Sequence, residues 1–60
     1  MEKSRTLRFM DAEAAHEVLI IVRHVDNGVA LCLSSSEAGD VEVVLSKKDF
    51  HDFVRELSQM

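Results

Sequence analysis

The sequence predicts an α+β fold, an antiparallel meander of three to four strands with one C-terminal helix packed on one face (ββββα or βββα), and three stretches carry that expectation. In the last third, Val41, Val43 and Leu45 alternate as a half-buried strand does, and Phe50, Phe53, Val54 and Leu57 then recur at helical spacing. In the middle, five of the eight residues from Val18 to Val25 are β-branched, which suits a pleated surface. Asn27-Gly28 follows directly and is the strongest short hairpin signal.

The strand that ends at Leu45 runs straight into the helix. Ser46-Lys47-Lys48-Asp49 reads as a helix start, with the Ser46 hydroxyl placed to accept from the Asp49 amide and the Asp49 carboxylate placed to reach back. Leu45 before the cap and Phe50 at the fourth helical position form a hydrophobic staple that fixes the entry angle.

Upstream, Thr6 to Met10 alternates as a strand, with Leu7 and Phe9 on one side and Thr6, Arg8 and Met10 on the other. Asp11 to Ala15 holds good helix formers but is too short for a stable helix, so it reads as a connection with one helical turn. Residues 12–25 admit a rival reading as a helix capped by Asp11, with Ala14, Ala15, Val18, Leu19, Val22 and Val25 on one side. The β-branched run favours strand. With Asn27 and Gly28 as the central residues of a type I′ turn, Asp26 pairs with Val29, Val22 with Leu33 and Ile20 with Ser35. Pairing Leu33 with Val43 then puts Val18, Ile20, Val22, Leu31, Leu33, Val41, Val43 and Leu45 on the helix side. Residues 34–40, rich in serine and ending in Ala38-Gly39-Asp40, form a loop or a ragged hairpin end.

Sixty residues make at most one small domain, which buries only about 60% of the surface its unfolded chain exposes. The face away from the helix carries Leu19, Ile21, Val25, Ala30, Cys32 and Val44, too much apolar surface to leave wet. Either the N-terminal strand folds over part of it or a second copy covers it. The expected dimer or partner face is therefore Leu19, Ile21, Arg23, Val25, Cys32 and Val44, with a homodimer or another protein as the partner. Arg23 interrupts this face and has to lie at its rim, pair with an acid such as Glu42, or contact something else.

Composition excludes several chemistries. A single cysteine rules out an intramolecular disulfide and a four-cysteine zinc site, and Cys32 between apolar neighbours reads as a small buried hydrophobe. His16 and His24, if both lie on one strand, point to the same side but stand roughly 26 Å apart, too far to share a metal. No metal and no cofactor is expected. Asp49, Asp52 and Glu56 sit on the polar part of the helix, with Lys48 and Arg55 spaced to pair with Asp52. Ser34-Ser35-Ser36 lacks a nucleophile elbow, and Gly28 and Gly39, the only glycines, make no phosphate loop. Met1-Glu2-Lys3-Ser4-Arg5 leads into no apolar signal segment and no run reaches membrane-spanning length, so the expected location is cytoplasmic. The net charge of −4 argues against a duplex-binding protein, although Lys3, Arg5 and Arg8 outnumber Glu2 near the start.

Several strands followed by a serine cap and a terminal helix, seen in Val41-Glu42-Val43-Val44-Leu45-Ser46-Lys47-Lys48-Asp49-Phe50, look like the Whirly-like transcriptional-coactivator family. That resemblance, which covers mainly the last third, implies dimers that bind single-stranded nucleic acid on their sheets. The chain departs from the family in lacking dense lysines and any tyrosine or tryptophan, so no binding residue carries over. The functional expectation is a small non-catalytic interaction or regulatory module acting as a homodimer. A weak single-strand nucleic-acid binder using Arg5, Arg8 and Arg23 is the alternative, and a small enzyme is the third and poorest reading.

Overall fold

A computed structural model describes residues 3–60; Glu2, set against the basic residues near the start, lies outside them. Four strands, β1 (Ser4–Met10), β2 (Glu17–Val25), β3 (Gly28–Ser35) and β4 (Gly39–Ser46), precede one helix, α1 (Lys47–Ser58). The sheet is an antiparallel meander in the order β1-β2-β3-β4, so each strand pairs with its neighbour in sequence. Residues 18–25 are strand, which settles the helix alternative for that part of the chain. The N-terminal strand joins the sheet edge beside β2 and does not fold over a face.

The register differs from the expected one by two residues at both central pairings. Ile20 faces Leu33 and Val22 faces Leu31, while Leu33 pairs with Val41 and Leu31 with Val43. A shift of two keeps every side chain on its face, so the apolar sorting holds. For β3 and β4 the cause lies in the 36–38 loop that lets Ser35 pair with Gly39, and for β2 and β3 in their own turn. Val25 pairs with Gly28, leaving Asp26 and Asn27 as the two-residue loop, and neither takes the positive φ of a type I′ turn.

Gly28 is needed for another reason: a Cβ there would collide with the carbonyl of Leu45 across the ladder, with the Ser46 Cα just beyond. The glycine lets β3 approach β4 at the point where β4 ends and the helix begins. The positive φ falls instead at Gly39 (82°), which closes the β3–β4 turn, and at Ala15 (58°) in the β1–β2 connection. That connection is held by the Asp11 carboxylate, which accepts from Glu13 and Ala14 at 2.8 and 2.9 Å. One helical turn follows as Ala15 N–H donates to the Asp11 carbonyl.

The helix begins at the cap its sequence predicts, with one of the two expected bonds, that to the Ser46 hydroxyl, in place. Ser46 is in extended conformation and its hydroxyl accepts from the Asp49 amide at 3.0 Å. At the other end, the Gln59 N–H donates to the Glu56 carbonyl, the Met60 N–H to the Leu57 carbonyl and the Ser58 hydroxyl to the Val54 carbonyl. Lys48 and Arg55 both reach Asp52, at 3.0 and 3.1 Å, exposed pairs worth a few tenths of a kcal/mol each.

Among the described residues the helix packs only on β3 and β4. The apolar core is correspondingly small and sits at the start of β3, where Val29 and Ala30 are 2% and 1% exposed. Val29, opposite Leu45, lies under the first turns of the helix with Phe50 and Val54. Ala30 lies on the other face between Arg23 and Val44.

Two substitutions test this account. Gly28→Ala is expected to lower stability by about 1 to 3 kcal/mol through overpacking against Leu45, and an unchanged denaturation midpoint would show that β3 can back away there. Ala15→Gly relieves a left-handed alanine and is expected to raise stability by about 0.5 to 1 kcal/mol, read as an increase in the same midpoint.

Candidate docking surface

The two faces of the sheet differ in chemistry. On the face away from the helix, each strand contributes charged or hydroxyl groups to a cross-strand set of pairs. Arg23 reaches over β3 to Glu42 at 3.3 Å, Arg8 meets Glu17 at 3.5 Å, and the Ser34 hydroxyl donates to Asp40. Ala30, directly opposite Arg23 on β3, is small enough to let that arginine cross. Leu19, Ile21, Arg23, Val25, Cys32 and Val44 all fall on this face, as their spacing predicts. Cys32 is a free thiol, half-buried between Ile21 and Glu42.

The helix side is different. Arg5, Leu7 and Phe9 of β1, Val18, Ile20, Val22 and His24 of β2, Val29, Leu31 and Leu33 of β3, and Val41, Val43 and Leu45 of β4 share it. Among the described residues, no strand residue on this side is a carboxylate. The helix covers it incompletely. Between α1 and the sheet lies a trough of about 500 Å³ whose floor is Ile20, Val22, Leu31, Leu33, Val41 and Val43. Its wall is the helical stripe Phe50, Phe53, Val54 and Leu57. Both sides stay open to solvent: Leu33 is 57% exposed, Val41 60% and Leu57 51%, with Phe9 on the uncovered β1 side at 52%. The stripe was legible in the sequence; the angle that holds it off the sheet was not.

Two hollows flank the sheet at opposite ends, one of mixed polarity and one mostly apolar. At the loop end, Asp11, Glu13, His16 and Glu37 line a space of about 510 Å³, with His16 and Glu37 in contact at 3.1 Å. His16 lies in the connection before β2, so it does not share a strand with His24. The Ala14 and Glu13 amides hold the Asp11 carboxyl below the usual aspartate range, with His16 adding a smaller effect in the same direction. At the other end, His24 from β2 and His51 from α1 line one hollow with Lys47, Val29, Phe50 and Val54. Sequence spacing alone gives no sign of this shared hollow, which depends on where the helix lies over the sheet. Among the described residues no group of three His, Cys, Asp or Glu side chains is placed to hold a metal, and no helix is long and apolar enough to cross a membrane.

The three arginines of the nucleic-acid alternative are divided. Arg5 is on the helix side, whereas Arg8 and Arg23 are on the opposite face, each in contact with a carboxylate. They form no single basic track. No family model, curated protein or solved structure matches the chain.

The Asp11 turn has a defined acid dependence. Because its folded-state pKa is lowered, its stabilising contribution is fully present at neutral pH and is lost as the pH falls through that lowered value. Carboxyl NMR is expected to show Asp11 titrating below ordinary aspartates, and Ala substitution at Asp11 should remove its share of the acid limb of stability.

Proposed function

We propose that the chain is a non-catalytic interaction or regulatory module that acts as a homodimer. The observation that carries this reading is surface area. A folded monomer of 6.8 kDa exposes about 4,000 Å² by the surface-to-mass relation, against 5083 Å² here. The excess, about 1,100 Å², is comparable to the roughly 800 Å² that each partner contributes to a standard stable interface. The radius of gyration points the same way, at 12.7 Å against about 10 Å for a compact chain of this length. A second copy supplies the missing burial without requiring any new sequence.

Nothing in the geometry favours the nucleic-acid alternative, because its arginines face opposite ways. A cytoplasmic location belongs to the same proposal, and a lone unpaired thiol at Cys32 suits a reducing compartment.

Dimerisation couples stability to concentration. Sedimentation of the purified chain is expected to give twice the 6.8 kDa protomer mass. Its Tm should rise by several degrees for each tenfold increase in protein concentration. A protomer mass at tens of micromolar with a concentration-independent Tm would remove the reading.

A further inference from the structure

We infer that the homodimer is closed by the helix side of the sheet, with the apolar trough of each protomer filled by the Phe53–Leu57 ridge of a second copy about a two-fold axis. This rests on the homodimeric reading above and names the surface that makes the pair.

Three observations select this face and this occupant. The first is extent: exposed apolar side chains run across the helix side from Leu7 and Phe9 on β1 to Val41 and Val43 on β4, and continue onto Leu57 of the helix. The whole-chain surface in excess of a compact monomer, about 1,100 Å², is enough to supply the roughly 800 Å² that a stable dimer takes from each protomer.

The second is charge. The core of an interface is depleted in charged groups, and burying an ion pair costs desolvation that its attraction only partly returns. The strands carry no carboxylate on the helix side, and its basic residues Arg5 and His24 lie toward one end. The opposite face carries Arg23–Glu42 near its middle and Arg8–Glu17 and Ser34–Asp40 around it. Those groups already have partners and are compatible with water.

The third is self-complementarity. The trough presents an aliphatic floor beside an aromatic and aliphatic ridge on the same protomer, both left partly exposed, so the exposed ridge of one copy can pack on the exposed floor of another. An isologous contact uses both at once and closes on itself.

The test uses the full chain and its single native cysteine as a reporter. A spin label on Cys32, which lies on the face away from the helix, is expected to give an inter-copy distance above roughly 20 Å, since two sheets and the material between them separate the labels. Leu57→Glu and Val41→Lys place charge in the trough and are expected to raise the dimer Kd by about 30-fold or more, the scale of an interface hot spot. Val44→Lys, at a position 59% exposed on the other face, is expected to leave the Kd within about threefold, as ordinary surface substitutions do.

A dimer with closely spaced Cys32 labels, or one that Val44→Lys dissociates while the trough variants do not, overturns the helix-side assignment and leaves the homodimer standing. A wild-type chain that stays a protomer overturns both. Should the trough variants lose their folded circular dichroism, the label distance on the otherwise unaltered chain still decides.

Discussion

The helix leaves the sheet without a loop, and most of the molecule's character follows from that corner. β4 ends at Ser46, α1 begins at Lys47, and the Ser46 hydroxyl bound to the Asp49 amide sets the direction in which the chain departs. Gly28 makes the corner possible by letting β3 come close to the Leu45 carbonyl, and Val29 is buried in the angle so formed. The packing is dense there and thins away from it, since α1 reaches only β3 and β4 and diverges over the rest of the face. A short chain has thus used its best contact at a single point.

The two faces of the sheet manage exposure in different ways. On one, polar side chains are interleaved with aliphatic ones and joined across strands, so a wet surface costs little; the Arg23 side chain spans β3 to Glu42 and leaves room only for alanine beneath it. On the other, Leu33, Val41 and Val43 stand beside one another, with Ser35 at the strand end and a helical stripe held above them. The contrast is one of pairing as much as of hydropathy. Leu19 and Ile21 sit among groups that already satisfy each other, whereas the trough has only carbon to offer.

Much of this was legible in the residues, and the rest was hidden for physical reasons. Alternation at Val41, Val43 and Leu45, the β-branched run after Glu17 and the Ser46 cap specify strands, their facing and the helix start, because each is a local pattern. The pairing register is less local. Asn27-Gly28 suggests a turn centred on itself, but the glycine is required by a neighbour from β4 that the hairpin signal does not include. A two-residue slip preserves facing, which is why the sorting survived the error. The trough and the hollow that His24 and His51 both line depend on how the helix lies over the sheet, a quantity set by tertiary packing and absent from any periodicity.

The meander has one more consequence, in time rather than in space. Every strand pairs with its immediate successor and, among the described residues, the helix packs only on the two strands before it, although many contacts still join segments a dozen or more residues apart. No crossover has to be threaded to complete the sheet. On the homodimer reading, one further step is the encounter of two chains, and maturation then depends also on how many are made at once.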